Sequence, residues 1–588
     1  MTYAAQTEPL KFLLHHVIGL EGLLAAGHSG ADPADVDAVL EEAGRLAVDV
    51  LSPLDAIGDK TGAKLENGVV TTVPGWVDAY RSFAEGGWVG VAADPEHGGQ
   101  GLPLAVASAV TELWSSANMA FGLCPMLSQA AIEVLEAYGS PAQKAKYLAP
   151  LVEGRWTGTM NLTEPQAGSD LSAVRAKATP ENGHYRISGQ KIYITYGEHD
   201  MTPNILHLVL ARLPDGPPGI KGISLFLVPK FLVNDAGEIG ARNDIRCAGI
   251  EHKLGIHASP TCVLAYGDND GAIGELIGEP HRGIEYMFKM MNNARLAVGV
   301  QGVGIAERAY QRAVAFARTR VQGRPVAGPA NATIMAHPDV RRMLAVSRVR
   351  IEAARALTLE AAACLDRGRA GDAAAQARGD LLIPIVKAWS TDLGVAVAST
   401  GLQVHGGMGF VEETGAAQHY RDARIAPIYE GTNGIQAADL VGRKILRDQG
   451  ATMTALISDL RKTLGDLAEA PGDDAAALVD TLTDGVEALE ECTAWLLRTG
   501  GANPAAIAAS ATTFLDLAGV VLGGWMHGRC LLAAQAALFN RAGDARAMDA
   551  IVQSARLYAR HVLPTALAQA RIVVDGADSL LAYDEAAL

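Results

Sequence analysis

The spacing of apolar positions along this chain changes twice, and the changes predict its layout. Over residues 1–154 the apolar positions recur at helical intervals. A helix is predicted from Asp32-Pro33, an aspartate suited to capping followed by a proline suited to the first turn. Segments Trp76–Gly86 and Leu104–Ala137 continue the helical period. Between them, Glu66-Asn67-Gly68-Val69-Val70 predicts a small hairpin or turn. From 155 to 277 the texture becomes short and strand-like, at His184–Gly189, Lys191–Thr195, Ile205–Ala211 and Gly222–Val228, with a further pair around Ile245–Leu254 and Thr261–Tyr266. Strands broken by Gly, Pro and Asn at this spacing predict an antiparallel barrel or sandwich. Helices return over 278–446, including Met287 onward, a run after His337 and Leu382–Thr400. Past the polar joint Arg447-Asp448-Gln449-Gly450, an Ala-rich helical tail fills 447–588 as an extra domain. The expected fold class is α+β, with an N-terminal helical domain, a middle β domain, a C-terminal helical domain and the extra helical domain.

Composition narrows the function. A chain of 588 residues with 49% hydrophobic and 19% charged residues has material for several cores, roughly three to five domains at ~150 residues each. A formal net charge of -16 argues against nucleic acid as a partner, because phosphate contacts need a basic surface. No uncharged apolar run reaches the ~18 residues of a membrane span, so no transmembrane segment is expected. The N-terminus carries no basic region or apolar core of a signal peptide. Six scattered cysteines, with no CxxC pair, are expected to be reduced, buried thiols in a cytoplasmic protein with no metal site.

Candidate chemistry centres on Glu430. It lies between Tyr429 and Gly431, after the apolar run Ile425-Ala426-Pro427-Ile428. Apolar surroundings disfavour a charged carboxylate and raise its pKa, which makes it a usable base. A helix-capping loop Glu is the plain alternative. Gly302-Val303-Gly304 begins like a dinucleotide fingerprint, but no strand precedes it and no third glycine follows, so close helix packing explains it better. The run Gln403-Val404-His405-Gly406-Gly407-Met408-Gly409-Phe410 reads equally as a tight connection or a place where backbone approaches a ligand. His405 reads as a packed residue.

Three segments, Met160–Asp170, Gln403–Phe410 and Ile428–Gln436, together resemble the FAD-dependent acyl-CoA dehydrogenases, and the overall length resembles that family's larger branch, which includes the methylmercaptopropionyl-CoA enzymes. The resemblance implies a middle β-barrel and a four-helix-bundle-like C-terminal domain. It implies α,β-dehydrogenation of an acyl-CoA to the trans-2-enoyl-CoA, with Glu430 taking the α-proton and FAD the hydride. The Glu430 N–H and a flavin hydroxyl would stabilise the enolate-like charge. For the cofactor it implies Leu162, Thr163, Gly168, Ser169, Tyr193, Thr195, Arg320, Gln403, Gly406, Gly407, Thr432 and Gln436. Arg320 and the Gln403 segment would serve a neighbouring subunit, hence at least a homodimer. For acyl-CoA it implies Ser169, Asn292, Arg295, Tyr429 and Gly431, with Arg295 facing the CoA moiety and Tyr429 bordering the thioester. Asn292 stands where many members have Asp, and Tyr193 where Trp is commoner. Electrons would pass to an electron-transfer flavoprotein. An oxygen-using acyl-CoA oxidase and a silent flavin- or CoA-binding scaffold are the alternatives. The acyl group stays open among a methylthio-propionyl, a short and a longer chain.

Overall fold

A computed structural model describes residues 3–587 apart from 28, 327, 330 and 542. Helix α1 (Pro33–Leu46) starts at Asp32, whose carboxylate accepts from the N–H groups of Ala34 and Asp35. Strands β1 (Lys64–Glu66) and β2 (Val69–Thr71) pair antiparallel across Asn67 and Gly68. Those two residues have φ of 51° and 78°, the left-handed turn that Asn-Gly accommodates. Helices α2 (Leu104–Ala117) and α3 (Met119–Tyr138) are buried along most of their length, and the Asn118 side chain joins them by capping α3 at the Phe121 N–H.

The middle strands are β3 (Thr157–Asn161), β4 (Lys177–Glu181), β5 (His184–Thr195), β6 (Ile205–Arg212), β7 (Ile223–Pro229), β8 (Phe231–Val233), β9 (Ile239–Arg242), β10 (Ile245–Ile250), β11 (Thr261–Tyr266) and β12 (Ala272–Leu276). Eight of them form a sheet of order β10-β11-β5-β12-β7-β6-β3, with β4 against β5 and β6. The ladders are mainly antiparallel, as the short strands predict. The exceptions are at β6, which takes β3 as a parallel neighbour and meets β4 in parallel at Lys177 and Arg212. The two segments expected on either side of Gln190 are one strand, β5. Gly189 carries it through at φ 139°, a conformation that a side chain would strain.

Helices α4 (Gly283–Thr319), α5 (Pro338–Arg369) and α6 (Ala373–His405) pack side by side. A Cβ at Gly302 would lie 2.5 Å from the Ser390 carbonyl oxygen, and one at Gly299 would lie 2.5 Å from Val386 Cγ1. The glycines of α4 therefore serve close helix contact. The short helix α7 (Asn433–Asp439) follows the Glu430 loop. The tail consists mainly of α8 (Ala451–Glu469), α9 (Asp473–Thr499), α10 (Pro504–Phe539), α11 (Ala545–His561) and α12 (Thr565–Asp575). One apolar cluster runs from the N-terminal helices through the bundle into this tail, and a second lies on the sheet. At the tail contact, a Cβ on Gly519 of α10 would lie 2.4 Å from the Trp389 ring of α6.

Two helices, Ala373–Phe410 and Pro504–Phe539, are long and apolar enough to cross a membrane, and a bent pair, Thr7–Ile18 with Leu20–Ala26, passes the same test together. The apolar runs in the sequence hid them because isolated polar and charged residues, such as Asp516 and Arg529, interrupt otherwise apolar helices. The fold uses both long helices as interior elements, with 83% and 67% of their apolar windows buried.

Candidate active site

Glu430 and Gly431 are consecutive left-handed residues, with φ of 55° and 84°. A glutamate at positive φ is uncommon, and such strain persists only where the surroundings enforce it. Side chains on both sides of the loop enforce it. Gln436 Nε2 donates to the Glu430 and Gly431 carbonyls, each at 3.2 Å. Lys387 Nζ donates to the Gly431 carbonyl at 2.8 Å and to Asn433 Oδ1 at 2.9 Å. Thr432 caps α7 by accepting from the Ile435 N–H at 3.3 Å. The Glu430 N–H itself finds no acceptor among the described residues. Burial pushes the Glu430 carboxyl above its ordinary value, while the charges of Arg295 and Lys387 hold it back.

This residue faces a cavity of about 300 Å³. Several further elements build its walls. Leu162, Thr163, Gly168 and Ser169 come from the turn after β3, Tyr193 and Thr195 from β5, and Arg295 from α4; Gly431 and Arg443 complete the side next to the base. The turn is organised by buried Glu164. Its carboxylate accepts from the backbone N–H groups of Arg175 and Ala176 and from Lys191 Nζ, at 2.7, 3.0 and 2.8 Å. Lys191 also donates to the Leu162 carbonyl at 3.0 Å. Burial works against the charged carboxylate, but Lys191 and the two amides outweigh it and hold Glu164 below its ordinary value.

A bulge in β5 aims Tyr193. Lys191 pairs with Leu264 and Ile194 with Cys262, so two residues of β5 face one of β11. The freed Ile192 N–H bonds the Thr163 carbonyl at 2.9 Å, which ties strand to turn. Tyr193 takes φ 58° and is 61% exposed. Beside that ring, the hydroxyls of Thr163, Ser169 and Thr195 make no hydrogen bond among the described residues, and a Cβ at Gly168 would meet nothing within 4 Å.

The remaining expected residues lie elsewhere. Tyr429 does not line the cavity; its hydroxyl donates to Gln301, which in turn reaches Met126, so the expected border with a thioester is not where the ring sits. Arg295 does line it, but the side chain is 3% exposed and pairs with Asp439 at 3.3 Å, which turns it inward. The more exposed guanidinium at the same wall is that of Arg443, bound to Asp439 at 2.5 Å. Asn292 is half-buried on α4 outside the lining. Thr432 and Gln436 support the loop rather than line the cavity. Arg320, Gln403, Gly406 and Gly407 form a second, exposed group at neighbouring ends of α4 and α6, where Phe316 and His405 stack at 4.4 Å. No Cβ at Gly406 or Gly407 would meet an atom within 4 Å, whereas one at Gly409 would lie 2.2 Å from the Leu402 carbonyl. So the run contains both a tight turn and open backbone. Sequence reading missed Lys387, Glu164 and Lys191. Only Lys387 carried a signal, a lone charge within the apolar helix run Leu381–Trp389; Glu164 and Lys191 lie in polar stretches that give none.

Comparison with known proteins identifies the group. The family models for the acyl-CoA dehydrogenase N-terminal, middle and C-terminal domains match residues 60–155, 159–268 and 281–446. A fourth, acetyl-CoA dehydrogenase C-terminal like, matches 451–584. The chain belongs to the acyl-CoA dehydrogenase family. It is 48% identical to the 3-methylmercaptopropionyl-CoA dehydrogenase of Ruegeria pomeroyi, with 99% of each chain covered. It is 35% identical to a butyryl-CoA dehydrogenase of Syntrophomonas wolfei, over 96% of this chain and 95% of that one. Its fold matches the Caenorhabditis elegans ACDH-11 structure in complex with C11-CoA, with a TM-score of 0.77 at 20% identity, over 98% and 96% of the two chains. The enzyme is thus an oxidoreductase of the FAD-dependent acyl-CoA dehydrogenase class. The cavity fits that cofactor: an exposed aromatic face, three hydroxyls without partners and an open glycine suit a flat polar ring system.

Proposed function

We propose that Glu430 is the base that removes the α-proton of an acyl-CoA, yielding the trans-2-enoyl-CoA. The observation that carries this is a glutamate in left-handed conformation, facing the cavity, with its charged form disfavoured and its own N–H free. A raised pKa makes the carboxylate a stronger proton acceptor once ionised. The free N–H is placed on the same residue to donate to the thioester oxygen as negative charge develops there. Bound FAD supplies the acceptor for the hydride that leaves the β-carbon. Leu162, Thr163, Gly168, Ser169, Tyr193 and Thr195 would hold its ring system, and the turn built on Glu164 fixes their positions.

The exposed group of Arg320, Gln403, Gly406 and Gly407 reads best as a site for the cofactor of a second copy. Phe410 and Val326 are 95% and 94% exposed near it in sequence, and Met408, Val321 and Val411 add to the uncovered apolar surface. A homodimer would cover that surface. We place the enzyme in the cytoplasm, where six free, buried cysteines stay reduced.

For the substrate, the 48% identity over nearly the whole chain favours 3-methylmercaptopropionyl-CoA or a straight acyl-CoA of similar length. Turnover across a panel of acyl-CoA lengths, including the methylthio acyl, tests this. A peak at the methylthio or butyryl substrate is expected, and a peak at long chains contradicts it. Electrons are assigned to an electron-transfer flavoprotein. Hydrogen peroxide formed at the full turnover rate in air would instead make the enzyme an oxidase.

A further inference from the structure

Lys387 is a buried charge next to the base that the reaction leaves unexplained. It is 0% exposed in the middle of α6, among Leu381, Leu382, Ile383, Ile385 and Val386. Burying an ammonium is costly unless it is paired and hydrogen-bonded, so its contacts identify what the fold obtains in return. Both contacts are to the segment that follows the base: the Gly431 carbonyl at 2.8 Å and Asn433 Oδ1 at 2.9 Å. The same turn of α6 grips Asn433 twice more. Asn433 Nδ2 donates to the Ala388 carbonyl and to Thr391 Oγ1, each at 3.1 Å. The residue that carries the left-handed Gly431 and the residue that opens α7 are thereby fixed to one rigid helix. On the other side, Gln436 holds the Glu430 and Gly431 carbonyls.

We propose that Lys387 is a positioning residue for the reaction: it clamps the Glu430–Gly431 unit in its left-handed shape and presents a positive charge to the base. This rests on reading Glu430 as that base. Two consequences separate it from a merely structural lysine. The first is geometric. Without the clamp, the carboxylate loses its fixed aim at the α-carbon, which lowers the rate of the chemical step more than it weakens substrate binding. The second is electrostatic. Lys387 and Arg295 are the charges that oppose the burial of Glu430. The groups facing Lys387 are Glu430, Asp392 and Arg295; Arg295 in turn meets Asp439, which Arg443 also holds. Burial pulls the Lys387 ammonium down to about 7, against the attraction of Glu430 and Asp392. Lys387 and Glu430 therefore titrate as a coupled pair, and removing the lysine charge lets the base's pKa rise further.

The test uses the FAD-loaded enzyme with butyryl-CoA and the methylthio acyl-CoA under anaerobic conditions. The rate of flavin bleaching is read across pH for Lys387→Met, Lys387→Gln, Asn433→Ala and Glu430→Gln. Lys387→Met is expected to keep its flavin and lose bleaching rate at saturating substrate on the order of tenfold to a hundredfold, with a smaller change in the acyl-CoA concentration that half-saturates it. The acidic limb of its pH profile should move to higher pH. Lys387→Gln keeps a donor but no charge, so it should recover part of the rate while keeping the shifted profile. Asn433→Ala removes the Oδ1 acceptor of Lys387 and the Nδ2 donor to α6 at a half-buried position, and reports on the clamp if Lys387→Met does not fold. It should lower the bleaching rate without moving the pH profile. A parental rate and parental pH profile in folded Lys387→Met, or a parental rate in Asn433→Ala, overturns the inference while Glu430→Gln stays inactive. If Glu430→Gln keeps the full rate, the base assignment itself has failed.

Discussion

At position 431 the side chain is excluded by shape. The residue holds φ 84°, and a Cβ there would lie 2.7 Å from Gln436 Nε2. Gly431→Ala should therefore cost about 1–3 kcal/mol of stability from backbone strain alone. It should also displace the Gln436 amide that holds the Glu430 carbonyl, so kcat falls while flavin content stays. Thermal melting and steady-state kinetics on one preparation check both. The glycine requirement was legible in the sequence, where Gly431 reads as a slim neighbour of a candidate base. What surrounds the pair was less legible. Tyr429 adjoins Glu430 in sequence, yet in a left-handed loop successive side chains diverge, and its hydroxyl goes to Gln301. Arg295 was placed on the right element, but the sequence does not display Asp439, the partner that draws the guanidinium inward. Lys387 looked like one polar position in a helix.

Among the elements, β5 shows how a small irregularity sets a site. An unbroken ladder would send residues 192 and 193 to opposite faces with both amides committed. The bulge opposite β11 frees the Ile192 N–H for Thr163 and lets Tyr193 stand out beside Thr195. Alternating hydrophobicity found the strands but contains no signal for a bulge, and Gly189 looked like a strand end rather than a hinge within one strand. A second element contact carries a pH dependence. Asp55, on the helix Ser52–Thr61, meets Gln418 Nε2 at 3.1 Å and faces Asp422, Asp59, Arg308 and Arg312. Burial, reinforced by Asp422, pushes Asp55 up to about 7 from 3.8. The folded protein thus binds this proton more tightly than the unfolded chain. The resulting stabilisation is present in full below the unfolded pKa and is lost as pH rises through about 7. Asp55→Asn should accordingly gain in melting temperature relative to the parent between pH 5 and pH 8. A difference that stays flat over that range would show that Asp55 does not titrate within it.

On the scale of the whole molecule, one apolar core joins the N-terminal helices, the bundle and the tail. The tail reaches the base indirectly: Gly519 and Gly523 of α10 close on Trp389, two residues from Lys387 on α6. The four-part order of helices, sheet, helices and helical tail was legible from periodicity alone. The depth of the tail contact was not, since the glycines that allow it lie in an Ala-rich run without a motif. The exposed Phe410 gives the dimer reading its sharpest handle. Phe410→Asp should shift the enzyme toward monomer in light scattering and release FAD in parallel, because the Gln403–Gly407 backbone beside it would then have no second copy to serve. A dimer of unchanged strength would move the interface elsewhere. All of these contacts converge on one carboxylate. The most direct measurement is anaerobic mixing of FAD-loaded Glu430→Gln with its best acyl-CoA, following the visible flavin band. Glutamine keeps the shape and the free N–H but cannot take the α-proton, so bleaching should slow by about 10²- to 10⁴-fold while substrate still binds. Bleaching at the parental rate would contradict the account.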